Sequence, residues 1–184
     1  MKPFRRLISA LLLLLLSACA RQGTVPVSGD AAQQLATAQA LAPAPRTGRL
    51  APDFTAPGIQ GAEEIHLGML RGRPVVLNFW ATWCEPCRAE LPELEAVYRE
   101  HGGELAVVGV QIEDDDGDAT AFLEEAGVSF PVARDLDGGV QALYLERVAL
   151  PTSFFIDRDG LIRHVQVGPM NKAFIEERLR ELAG

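Results

Sequence analysis

The run Trp83-Cys84-Glu85-Pro86-Cys87 sets two thiols three positions apart, directly after an apolar β-rich run and at the start of a predicted helix. One helical turn brings such a pair within bonding range. The free N–H groups and partial positive charge at a helix N-terminus favour a thiolate over a thiol, so the first cysteine is expected to be the more acidic. Cys84, at the cap, is read as the exposed attacking thiolate. Cys87, one turn in, is read as the shielded thiol that resolves a mixed disulfide. Glu85 and Pro86 complete the segment, and Pro86 falls in the first turn, where its missing N–H costs little. Half a zinc site and a purely structural bridge are the other readings of such a pair. There is no second pair, and His66, His101 and His164 lie far off in sequence without ligand spacing. No metal is assigned to the site. No cofactor is expected beyond the Cys84–Cys87 redox pair itself.

The elements that must position this pair can be read from periodicity. Arg73 to Trp80 is a short apolar run, consistent with a buried central strand. Cys87 to about His101 is predicted helical, with Leu91, Leu94, Glu95, Val97 and Tyr98 giving a partly apolar face before Gly102-Gly103 stops it. Leu105 to Ile112 reads as a second buried strand, residues 118–126 as a helix with Asp118 as N-cap, and 135–144 as a short helix or turn. Ser153 to Ile156 and Leu161 to Val167 read as strands joined by the turn Asp157-Arg158-Asp159-Gly160. Asn171 to Leu182 reads as a final amphipathic helix capped by Asn171. Residues 50–72 form an N-terminal segment with a small hairpin. The order implies an α/β fold, a mixed sheet with helices on both faces.

The third cysteine has a different context. Lys2, Arg5 and Arg6 precede an apolar run from Leu7 to Leu16, followed by small residues, the pattern of a secretory signal peptide. Leu16-Ser17-Ala18-Cys19 resembles the lipobox of bacterial lipoproteins, in which the cysteine becomes the lipidated first mature residue. Residues 1–18 are accordingly expected to be a lipoprotein signal peptide. Residues 19–46, rich in Ala, Gln, Pro, Gly and Thr, read as a flexible tether, and 47–184 as the folded domain. The expected location is extracytoplasmic, anchored to a bacterial membrane through lipid on Cys19.

The formal net charge of the 184-residue chain is −8, with no basic patch of the kind a nucleic-acid binder shows. The acidic run from Glu113 to Asp118 has partial EF-hand spacing. Ala119 stands where the sharp-turn glycine belongs, so the run reads as a solvated loop.

Asn78-Phe79-Trp80-Ala81-Thr82-Trp83-Cys84-Glu85-Pro86-Cys87 resembles the active-site segment of the thioredoxin superfamily, most closely its extracytoplasmic TlpA/ResA branch, which includes the CcmG-type proteins. The resemblance spans about residues 50–184 and implies a thioredoxin-like fold. It makes Leu150-Pro151-Thr152 the cis-proline segment, which faces the disulfide and pairs with the substrate backbone. Ala51-Pro52-Asp53-Phe54 resembles the branch's N-terminal extension. Glu90 matches a glutamate that the branch keeps close to the redox centre. Spacing alone leaves Glu90 open between that role and a solvated first-turn residue; the resemblance favours proton transfer. Asn78 stands where thioredoxin has a buried aspartate and cannot take up a proton. Trp83 is expected to flank the site and contact partners.

The resemblance implies a protein-disulfide oxidoreductase that reduces disulfides in protein partners, with apocytochrome c a plausible target. It also implies a membrane electron donor of the CcdA or DsbD type. The chain is expected to act as a monomer and to bind no nucleic acid. Cys-Glu-Pro-Cys does not settle direction, so a thiol oxidase is an alternative. A copper-site assembly protein is another, with Met170 the nearest additional ligand, and a peroxidase ranks lowest.

Overall fold

The computed structural model describes residues 42–59, 63–113 and 116–182. The predicted signal peptide, Cys19 and most of the predicted tether lie outside these residues, as do Asp114 and Asp115 of the acidic run. In chain order the elements are β1 (Thr55–Ala56), β2 (Ile65–His66), β3 (Val75–Trp80), α1 (Glu85–His101), β4 (Ala106–Ile112), α2 (Asp116–Glu125), β5 (Val132–Asp135), α3 (Gly139–Tyr144), β6 (Thr152–Ile156), β7 (Ile162–Val167) and α4 (Lys172–Leu182). Among the described residues no helix is long and apolar enough to cross a membrane.

Five strands form one mixed sheet in the order β5-β4-β3-β6-β7. β3, β4 and β5 run parallel, while β6 runs antiparallel to β3 and β7 to β6. β3 and β4 are buried along their whole length, which is why both read as continuous apolar runs rather than alternating ones. Alternation along β3 still divides the core. Val76 and Trp80 join α1, α2 and α4 on one face. Val75, Leu77 and Phe79 face α3 and the N-terminal segment on the other. Asn78 shares the α1 face with Val76 and Trp80 by the two-residue period of a strand. Phe154 and Phe155 likewise go to opposite faces.

Two predicted elements are corrected. Residues 135–144 are not one helix or turn: Asp135 ends β5, and the helix starts at Gly139. β5 was hidden because Pro131 interrupts its apolar run and cannot donate to a ladder; it is a short edge strand. The Asp135 carboxylate accepts the N–H groups of Val140 (3.0 Å) and Gln141 (2.6 Å), so it starts α3 from outside the helix. α2 begins at residue 116, so Asp118 lies inside its first turn rather than at its cap. Acidic residues suit the positive end of a helix, which lets the helix extend into what reads as a loop. Asn171 does cap α4, accepting the Phe174 N–H at 2.9 Å. Pro92 stands inside α1 without ending it.

The N-terminal segment hydrogen-bonds to both edge strands of the sheet. Gly48 N–H donates to Ile162 O (2.8 Å) and Ile162 N–H to Arg49 O (2.9 Å), covering the start of β7. Further on, Ile59 N–H donates to Val132 O (2.8 Å) and Arg134 N–H to Pro57 O (2.8 Å), covering β5. Between these points Tyr144 Oη donates to Pro52 O at 2.5 Å. Burial, with Asp53 nearby, pushes the phenol well above its usual range, so it remains a donor. Capped edges remove the unpaired backbone that invites strand addition.

Candidate active site

The site is built where β3 ends and α1 begins. Cys84 has extended backbone (φ −86°, ψ 98°) and is the N-cap of α1. Its Sγ accepts the Cys87 N–H at 3.2 Å, so the sulfur takes the place that a serine or aspartate oxygen usually occupies at a cap. Pro86 is in the first turn. Cys84 and Cys87 are joined as a disulfide. Cys84 is 5 % exposed and Cys87 1 %. The sequence reading expects an exposed Cys84 thiolate; in the disulfide Cys84 is instead buried, and both cysteines belong to the core on the α1 face.

Glu90 lies one turn beyond Cys87 and is 1 % exposed. Its Oε1 accepts from Asn78 Nδ2 (3.0 Å) and from the Ser153 hydroxyl (3.4 Å), and its Oε2 from the Met170 N–H (3.3 Å). Burial pushes the carboxyl up to about 7, while the Met170 N–H and the Ser153 hydroxyl pull the other way. Desolvation wins because among the described residues no basic side chain pairs with it. A carboxyl that titrates near neutral pH can take up and release a proton under working conditions.

The Leu150–Pro151 peptide bond is cis. Leu150 packs against the cluster that contains both cysteines, and Pro151 O accepts the Gly168 N–H at 2.9 Å. Thr152 Oγ1 donates to Ala149 O at 2.6 Å, tightening the turn into β6. Trp83 is 58 % exposed beside the disulfide. Glu85 points to solvent and is 4.0 Å from Arg88, whose guanidinium lies 4.5 Å over the Phe122 ring.

Residues 47–165 match the AhpC/TSA family. Thioredoxin-like protein YneN of Bacillus subtilis is 37% identical over 135 residues, spanning 72% of this chain and 78% of that protein. The chain belongs to this thioredoxin-like family. Thiol-disulfide oxidoreductase ResA of Oceanobacillus iheyensis is 36% identical over 144 residues, 75% of this chain and 73% of that one. A secreted Mycobacterium tuberculosis disulfide oxidoreductase, homologous to DsbE of Escherichia coli, aligns with a TM-score of 0.64 at 30% identity, covering 70% of this chain and 96% of that one. The chain is a thioredoxin-like thiol–disulfide oxidoreductase of the ResA and DsbE type, with Cys84–Cys87 as its pair.

In this AhpC/TSA-family protein the fold gathers Cys84, Cys87, Glu90, Asn78 and the Leu150-Pro151-Thr152 segment at one end of the sheet. Cys19 lies outside the described residues. Two parts of the site escaped the sequence reading: the Ser153 hydroxyl and the Met170 backbone N–H. Ser153 had one available signal. It is a polar residue next to the buried run Phe154-Phe155-Ile156, and register sets it directly opposite Asn78. Met170 N–H had none, because a backbone group carries no mark in a sequence. Among the described residues, His, Cys, Asp and Glu form no group of three or more that could hold a metal ion.

Proposed function

We propose that this protein reduces disulfides in protein partners outside the cytoplasm, held to the membrane through lipid on Cys19. The observation that carries the direction is the buried Glu90 carboxyl one turn from Cys87. A strong oxidant is strong because its reduced form is stabilised as thiolate. A carboxylate beside the pair does the opposite: it disfavours thiolate and makes the dithiol ready to give up its electrons. Glu85 between the two cysteines adds charge of the same sign.

In this reading the Cys84 thiolate attacks a partner disulfide and releases one partner sulfur as thiolate, forming a mixed disulfide. The Cys87 thiol then passes its proton to Glu90 and attacks the Cys84 sulfur. The second partner sulfur leaves as thiolate, and two electrons have moved from the cysteine pair to the partner. The exposed Trp83 and the Leu150-Pro151-Thr152 segment receive the partner chain. An apocytochrome c is the expected target, and a membrane carrier of the CcdA or DsbD type the expected source of new electrons. Export is supported by the signal-like N-terminus and by the relative described as secreted.

The test is the reduction potential of the Cys84–Cys87 pair, measured by equilibration in thiol buffers. A value near or below about −220 mV supports a reductant, and one near about −120 mV makes the protein a thiol oxidase instead.

A further inference from the structure

The Glu90 carboxyl is served by donors whose numbers do not suit both of its protonation states. Asn78 Nδ2 has two hydrogens, one directed at Glu90 Oε1 (3.0 Å) and one at Ser153 Oγ (2.8 Å). The Met170 N–H is a fixed donor to Oε2. The Ser153 hydroxyl adds its own hydrogen towards Oε1 at 3.4 Å. This set fits a carboxylate. A neutral carboxyl brings an O–H that needs an acceptor, and neither an amide N–H nor a backbone N–H can become one. Ser153 Oγ can. Its hydroxyl rotates, and of its two lone pairs Asn78 uses only one. Ser153 is itself 1 % exposed and Asn78 likewise, so solvent offers no easy substitute.

We propose that Ser153, oriented by Asn78, is a positioning residue for the proton step of disulfide exchange. Its hydroxyl donates to the Glu90 carboxylate and turns to accept from the carboxyl once the proton arrives. The proposal rests on the reading above that Glu90 carries the proton of Cys87. The groups facing Glu90 are Cys87 on α1, Asn78 from β3, Ser153 from β6 and the Met170 N–H from the segment before α4. Glu93, one turn further along α1, is engaged with the Lys172 N–H at 2.8 Å.

Replacing Ser153 by alanine removes a donor from the charged form and an acceptor from the neutral form. The bond to the charged form is the stronger of the two, so the carboxyl of S153A should titrate higher than that of the wild type. Threonine keeps the hydroxyl and suits a strand.

The test uses the full chain in detergent, with 13C-labelled glutamate side chains, in the oxidised state, where the cysteines do not titrate. The wild-type Glu90 signal is assigned by its loss in E90Q. In S153A its inflection should move up by about half a pH unit or more, and S153T should restore it. The reduced proteins are then mixed with an aromatic disulfide, dithiobis(nitrobenzoate). Cys84 releases the first thionitrobenzoate, and Cys87 releases the second as it closes the disulfide. The pH profile of the second release should follow the inflection in S153A and return in S153T. A Glu90 inflection that stays in place in S153A overturns the proposal. So does a second release that responds to E90Q but not to S153A. A second release indifferent even to E90Q overturns the reading of Glu90 itself. S153T serves only as rescue; if it fails to fold, the S153A and E90Q comparison still decides.

Discussion

Glu90 on α1 and Asn78 on β3 meet 3.0 Å apart, carboxylate oxygen to amide nitrogen, in a part of the core where each is 1 % exposed. The contact ties the helix that carries the cysteines to the central strand of the sheet. It also leaves an ionisable group in a place where ionisation is costly.

That cost should appear in the stability of the oxidised protein. The Glu90 carboxyl is raised from 4.5 to about 7 by burial. Between those values the native state holds more protons than the unfolded chain, so this group's effect is to lower stability as pH rises, and the loss is complete above about 7. The shift corresponds to something on the order of 3 kcal/mol. E90Q lacks this dependence, so urea unfolding should show it gaining on the wild type from pH 4.5 to pH 8. Parallel stability curves would rule the account out.

In the reduced protein, E90Q should lower the apparent pKa of the thiols, because a nearby negative charge disfavours thiolate. The rate of alkylation by iodoacetamide against pH reads this directly. An unchanged profile would mean that Glu90 and the thiols are not coupled.

Trp83 is 58 % exposed, so W83A should change stability by little, within about 0.5 kcal/mol. Its effect should fall on partners. Reduction of a protein disulfide should slow several-fold, while reduction of a small aromatic disulfide stays near the wild-type rate. Equal slowing of both would place Trp83 in the chemistry rather than in the binding surface.

Gly109 in β4 is tightly enclosed. An added Cβ would lie 3.1 Å from Trp80 Nε1, 3.2 Å from Val132 Cγ2 and 3.4 Å from Phe130 Cε2. Trp80 and Phe130 are fully buried, so each would have to give within a packed core. G109A should cost about 1–3 kcal/mol by overpacking, measured by denaturant titration. Neutral or improved stability would show that the indole can yield.

Chains beginning at residue 47 and at residue 60 should differ sharply. The longer keeps Gly48 and Arg49 on β7 and Pro57 and Ile59 on β5. The shorter leaves both outer strands open, and open edges pair with other chains. Light scattering at matched concentration should show association of the shorter chain alone. Two equally soluble proteins would mean that the edges need no cover.

Much of the site is legible along the chain because its parts are local. The three-residue spacing of Cys84 and Cys87, the strand before them and the helix after them all lie within residues 75–101, and short-range periodicity reports them. The hairpin at Asp157–Gly160 and the Asn171 cap are local in the same sense, and the structure places them as the spacing predicts. β5 was lost because Pro131 masks a four-residue edge strand, whose identity comes from its ladder with β4. The early start of α2 was lost because an acidic run suits both a loop and the first turn of a helix.

The sequence alone determined which atoms do the redox chemistry and which elements carry them, since thiol spacing and helix polarity are properties of neighbouring residues. Only the tertiary structure decided the state of Glu90. Its burial comes from packing α1 on the sheet, and its partners come from residues 12, 63 and 80 positions away. A carboxyl's affinity for a proton depends on the dielectric and the donors around it, and those are assembled from distant parts of the chain only when it folds.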